Sequence, residues 1–144
     1  FIGPRSHTSA LYDIAVGERS EHQSSSGVIV STGLGSTAWL KSVVTGGMAL
    51  SEAVRRVPVA TEYQPLDWDA DRLTFAVREP FPTRSSQATL VYGNVTNAQP
   101  LKLRSRMPDN GVIFSDGMEA DFLRFTAGVE ATIRVAATQG RLVV

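Results

Sequence analysis

The chain is broken into short apolar runs, each too brief for a helix and bounded by turn residues. "LYDIAVG" (11–17) alternates roughly in and out, and "GVIVS" (27–31) is a continuous β-branched run of the kind found in buried strands. "RLTFAV" (72–77), "ATLVYG" (88–93) and "LKLRSR" (101–106) follow. In the last of these Leu101 and Leu103 fall on one face, with Lys102 and Arg104 on the other. "GVIF" and "MEADFLRF" flank Asp116-Gly117, a hairpin signal because a type I′ turn needs positive φ at both central residues. "VEATIRVAA" (129–137) alternates again, and "RLVV" (141–144) reads as a closing strand. Such spacing predicts a sandwich or barrel.

A helical period is confined to two stretches. One runs from Ser36 to about Val44, where Gly46-Gly47 is expected to stop it; a weaker one spans 50–56. Pro58, Pro65, Pro80 and Pro82 mark a loop-rich middle. The expected architecture is one mainly β domain over 1–144, a β-sandwich with one short helix after a glycine-rich turn.

Composition removes several function classes. The 14 Lys and Arg balance the 14 Asp and Glu, which argues against a broad basic surface for nucleic acid. The chain has no cysteine, so disulfides, thiolate nucleophiles and Cys-ligated zinc are excluded. His7 and His22 are too few for a histidine-built metal site. No apolar run approaches a membrane span and no signal peptide is visible, so the expected location is the cytoplasm. The chain opens at Phe1 in apolar sequence, which reads as a piece of a longer protein.

The segment with chemical content is "GVIVSTGLGSTAW" (27–39). A strand that empties into Gly33 and Gly35 makes a turn where a ligand can approach backbone closely. Ser36 or Thr37 is placed to cap the helix behind it, and free N–H groups at a helix start suit an anionic or polar ligand. Thr32, Ser36 and Thr37 add hydroxyls, and Trp39 adds a ring face for stacking. The Walker pattern fails on the spacing of its lysine and second glycine, and the Rossmann pattern lacks its third glycine. Without a ligand, the same turn simply joins a strand to a helix, with Trp39 and Val43 in the core.

Other clusters have plainer readings. Asp116, Glu119 and Asp121 are explained by a turn and a solvated strand face rather than by a metal. Asp67, Asp69 and Asp71 lack the glycine and terminal glutamate of a calcium loop. His7 reads as a surface histidine and Arg84 as half of a structural ion pair. Ser24, Ser25 and Ser26 have no base nearby in sequence to make a nucleophile.

The glycine segment resembles the motif D-G-[LV]-I-V-S-T-P-T-G-S-T-A-Y of NAD kinases, whose superfamily includes diacylglycerol and sphingosine kinases. "SALYDIAVGE" is similar to the family's A-L-N-E and following strand. "FAVREPFPTR" is similar to its P-x-x-P-H-S-x-x-x-R region, and "GVIFSDGMEADFLRFTAGVEATIRVAA" to its closing strands. These segments occur in the family's order and cover most of the chain. The resemblance implies the C-terminal, substrate-binding domain of a kinase that moves a phosphoryl group from ATP, with Mg²⁺, to a hydroxyl acceptor. The family's Gly-Gly-Asp-Gly motif, which binds the donor and carries the catalytic Asp, does not occur here. A missing N-terminal domain is the implied partner, no catalytic or metal-ligating residue is expected in this chain, and a homo-oligomer is left open.

The resemblance implies a substrate site at Tyr12, Asp13, Ser26, Thr32, Gly35, Ser36, Thr37, Ala38 and Trp39. Asp13 would bond a ribose or sugar hydroxyl and Trp39 would stack on the acceptor. The departures fall on this site. Tyr12-Asp13 replaces the family's Asn-Glu, Ser26 its Asp, Gly33-Leu34 its Pro-Thr and Trp39 its Tyr. The acceptor is therefore expected to differ from NAD. The alternative is a non-catalytic ligand-binding or assembly domain that kept the fold without the chemistry.

Overall fold

The computed structural model describes residues 1–58, 62–115, 118, 120–138 and 140. Its elements are β1 (Ile2–Pro4), β2 (Ala10–Val16), β3 (Arg19–Ser25), β4 (Val28–Ser31), a 3₁₀ turn (Leu34–Thr37), α1 (Trp39–Arg55), β5 (Leu73–Val77), β6 (Tyr92–Val95), β7 (Leu101–Ser105), β8 (Gly111–Phe114), β9 (Phe122–Arg124) and β10 (Glu130–Ile133). The strands form a six-stranded sheet in the order β6-β5-β4-β1-β8-β9 and a four-stranded sheet in the order β10-β7-β2-β3. Neighbouring strands in both sheets run antiparallel. Ile2, Val28, Phe75 and Val77 of the larger sheet share one buried cluster with Tyr12, Ile14, Leu101 and Leu103 of the smaller. The domain is mainly β, and its two sheets bury their inner faces together.

Alternation places the sides as expected in β7, where Leu101 and Leu103 are buried while Lys102 and Arg104 face out. Strand β3 was not anticipated, because "RSEHQSS" contains no apolar residue. Its inward residues are Glu21, Gln23 and Ser25, all buried. Burying such groups is favourable only when each is hydrogen-bonded. The Tyr12 hydroxyl donates to Gln23 Oε1 at 2.9 Å and shares a bond with Ser25 Oγ at 2.7 Å. Gln23 Nε2 donates to Glu21 Oε1 and to the Leu90 carbonyl. Glu21 also accepts from the backbone N–H groups of Thr89 and Leu90 and from the Thr89 hydroxyl.

That carboxylate moves the next strand along the chain. The expected run 88–93 becomes a ladder only from Tyr92, since residues 89 and 90 give their N–H groups to Glu21. The expected hairpin turn at Asp116-Gly117 and the closing strand at 141–144 lie outside the described residues.

The single short helix is corrected. α1 has 17 residues and runs through Gly46-Gly47 into the stretch where a second helix was expected. A Cβ on either glycine would meet nothing within 4 Å, so neither marks a forced turn. Their intrinsic cost of about 1 kcal/mol each does not end the helix. It ends at Arg56, whose left-handed backbone (φ 55°) lets its N–H bond the Glu52 carbonyl at 2.8 Å. Leu40 is the one buried side chain of α1. Among the described residues no helix is long and apolar enough to cross a membrane.

Burial alone would raise the Glu21 carboxyl, but hydrogen bonds from Thr89, Leu90 and Gln23 outweigh it and hold the pKa below the usual carboxylate range. A depressed folded pKa adds stability above the unfolded value of about 4.3, and that stability is lost as pH falls through the folded one. Glu21→Gln is expected to lose about 1.5–3 kcal/mol at neutral pH, as for hydrogen bonds to a charged group. Urea melts between neutral and acid pH check this: the gap between wild type and Glu21→Gln should narrow below about pH 4.3.

Candidate functional site

The glycine turn is built on its own chain. β4 ends at buried Ser31, and Gly33 follows with an ordinary right-handed backbone (φ −54°, ψ −47°). Space makes Gly33 necessary: a Cβ there would overlap the Asp67 carbonyl and come within 3.0 Å of Trp68 Cα. At Gly35 a Cβ would meet Ser31 Oγ at 3.0 Å and Thr32 Oγ1 at 3.6 Å. Neither glycine is in the left-handed region. The Cβ side of Gly33 is filled by the 67–68 backbone, so the lack of a side chain there serves packing within the chain.

Ser36 is also an internal support. It is fully buried; its Oγ donates to the Gly33 carbonyl at 2.6 Å and accepts from Leu66 N–H at 3.0 Å. The Tyr63 hydroxyl donates to the Ser36 carbonyl at 2.8 Å, and burial raises the pKa of this phenol. The expected helix cap is corrected too: α1 has Ala38 as its N-cap and no side-chain capping bond. Thr32 Oγ1 accepts from Gly35 N–H at 3.3 Å, and the Thr37 hydroxyl donates to the Leu34 carbonyl at 3.2 Å. Besides Thr32 and Leu34, the turn offers to solvent the consecutive residues Thr37, Ala38 and Trp39.

Trp39 is 42% exposed and braced from within the chain. Phe1 stacks on it with ring centroids 5.5 Å apart and planes at 16°. The Arg78 guanidinium lies 5.2 Å from the indole centroid. Ser26 N–H donates to the Arg78 carbonyl at 2.9 Å, so Arg78 bridges two of the expected site residues. Sequence reasoning missed Arg78; its signal was a cation directly after the buried strand "LTFAV".

Tyr12 and Asp13 are separated by the pleat. Tyr12 faces the core, and burial drives its phenol well above the ordinary range. Asp13 faces outward, gripped by Arg106 through two 3.0 Å contacts, Nε to Oδ2 and Nη2 to Oδ1. His22 Nδ1 lies 3.4 Å from Asp13 Oδ1 and 3.2 Å from the Tyr12 carbonyl. The two residues are not brought to one ligand surface, and Arg106 is a partner that sequence reasoning missed.

A cavity of about 790 Å³ opens beside the first half of the turn. Thr32, Gly33 and Leu34 line it together with Trp68, Arg72 and Arg134. Among the described residues no group of three or more His, Asp or Glu is gathered closely enough to hold a metal. Asp116 and Glu119 lie outside the described residues, and Asp121 is exposed. His7 is exposed as expected, while Arg84 is exposed and forms no ion pair among the described residues.

The packing orders three substitutions. Gly33→Ala must push the 67–68 backbone away and is expected to cost about 1–3 kcal/mol, the range for overpacking. Ser36→Ala leaves Leu66 N–H without a partner, at about 1–3 kcal/mol. Gly35→Ala displaces only a serine hydroxyl and should cost the least. Thermal melts of the three proteins check the order; a Gly33→Ala protein as stable as wild type would contradict the close packing.

Compared with known proteins, no family model matches the chain and no curated protein is significantly similar to it.

Proposed function

We propose that this chain is the acceptor-binding β-domain of an NAD-kinase-like phosphotransferase, which moves a phosphoryl group from ATP or another donor to a hydroxyl acceptor. The observation that carries this reading is the way β4 and the 3₁₀ turn present Thr37, Ala38 and Trp39. The three stand exposed at the start of α1, while Ser31 and Ser36 are buried beneath them. Phosphoryl transfer asks a protein mainly for positioning and charge stabilisation. A surface held from inside by Ser36, Tyr63 and Leu66 is suited to the positioning half. Donor phosphates, Mg²⁺ and the catalytic carboxylate would be handled by a Gly-Gly-Asp-Gly domain of the kinase type, whose motif this sequence does not contain.

In this reading Thr37 bonds an acceptor hydroxyl and Trp39 packs its exposed ring on the acceptor body. Arg78 stands beside it as a positive charge. The acceptor differs from NAD, because Ser26 has no charge and Asp13 is engaged by Arg106. Those two features also favour the second reading, a ligand-binding domain without kinase chemistry.

The test has two stages. Titration of the chain with NAD, adenosine, sugars and a short-chain diacylglycerol should find an acceptor that outcompetes NAD. Trp39→Ala should weaken it by about 1–3 kcal/mol, by comparison with base–aromatic stacking. Unchanged binding in a folded Trp39→Ala protein would remove Trp39 from the site. The chain alone, given ATP, Mg²⁺ and that acceptor, should yield no phosphorylated product. Clear turnover by the pure chain would overturn the division of labour between two domains.

A further inference from the structure

The first half of the glycine turn faces a different space from the second. Thr32, Gly33 and Leu34 line the 790 Å³ cavity, while Thr37, Ala38 and Trp39 do not. The loop that carries Trp68, Asp69, Ala70 and Arg72, with Leu73 at the start of β5, forms another part of its lining, and Arg134, Val135 and Ala136, following β10, a third. Its volume lies within the range of small-molecule sites.

The lining has a definite chemical character. Arg72 and Arg134 are far apart in sequence, yet both reach this cavity and neither forms an ion pair among the described residues. Trp68 is 65% exposed and Leu34 55% exposed, and both border the same space. Exposed tryptophan is unusual on a surface that nothing covers, since its ring is one of the largest apolar groups. Guanidinium groups bind phosphate or carboxylate oxygens in a planar, forked geometry and stack well on flat rings. Asp69 is the one carboxylate among the described lining residues, and it can accept from a hydroxyl or amine on the ligand.

We propose that this cavity is a second ligand site, separate from the Thr37–Trp39 surface, for a small organic oxyanion that carries a flat apolar body. Arg72 and Arg134 hold the oxyanion, Trp68 and Leu34 take the flat body, and the close packing of Gly33 on the 67–68 backbone fixes the wall between them. The proposal goes beyond the acceptor-binding reading and uses none of its residues except the shared turn.

Calorimetric titration of the chain with phenyl phosphate, inorganic phosphate and benzyl alcohol tests it. Phenyl phosphate should bind saturably and more tightly than either fragment. Arg72→Gln and Arg134→Gln should each weaken it about tenfold or more, the lower end of what a hydrogen bond to a charged group contributes. Trp68→Ala should weaken phenyl phosphate and leave inorganic phosphate unchanged. Asp69→Asn should tighten both anions. All four side chains line an open surface, so melting temperatures close to wild type are expected and make the binding losses interpretable. Trp39→Ala should leave phenyl phosphate binding intact, which separates failure here from failure of the acceptor site. No saturable binding, equal binding of phenyl phosphate and inorganic phosphate, or full binding by the double arginine variant would each overturn the proposal.

Discussion

The larger sheet is continuous because of three residues. Ile2 of β1 pairs with Val28 on one side and Ile113 on the other, so β1 joins the β6-β5-β4 half to the β8-β9 half. Phe1 just before it has no room to vary. Its ring lies over Gly3 and Gly27, and a Cβ on Gly27 would come within 2.6 Å of that ring and 2.8 Å of the Ile2 carbonyl. Gly27 also has φ +113°, a backbone that side chains other than glycine rarely adopt. The same ring stacks on Trp39 and lies 5.1 Å from Phe114. The strand that closes the sheet therefore also sets where α1 begins.

A second constraint ties the smaller sheet to the loop before β6. The Tyr12–Gln23–Glu21 network extends from the core side of β2 across β3 to the backbone of residues 89 and 90. In a low-dielectric interior such a network is favourable only when complete. It is complete here: no buried side-chain nitrogen or oxygen among the described residues lacks a partner. The loop is thus pinned by a carboxylate as well as by the burial of Leu90 in the core, and the carboxylate links its order to pH.

How far the sequence could be read follows from the same physics. β7 was legible because its burial alternates with its sequence, and β5 because its run is buried almost throughout. β3 was not, because its inward face is polar and its partners are distant in sequence: Tyr12 precedes it and Thr89 and Leu90 lie far after it. β1 has only three residues, and nothing local marks it as a sheet-closing strand. The helix was misjudged at Gly46-Gly47 because a glycine pair stops a helix only where the backbone turns left-handed, and here it does not. Of the residues singled out by the motif, Thr37 and Trp39 stand exposed close together at the start of α1. Arg78, Arg106, Arg72 and Arg134 were not legible, since each reaches its place through a cross-strand or loop contact that no local pattern encodes.

The turn itself shows how a glycine-rich segment can be a scaffold. Gly33 admits the 67–68 backbone, Ser36 holds that same loop through Leu66, and Tyr63 grips the Ser36 carbonyl. Each bond fixes the turn from the inside, so the turn need not be shaped by a ligand. Pre-formed surfaces of this sort avoid the entropy cost of ordering on binding. One loop, 63–72, therefore does two things: it rigidifies the exposed Thr37–Trp39 surface from below, and it contributes Trp68 and Arg72 to the neighbouring cavity. Any ligand that shifts this loop through Trp68 pulls on Gly33 and Ser36. If both surfaces take ligands as proposed, linkage makes each ligand alter affinity at the other only to the extent that it moves that loop.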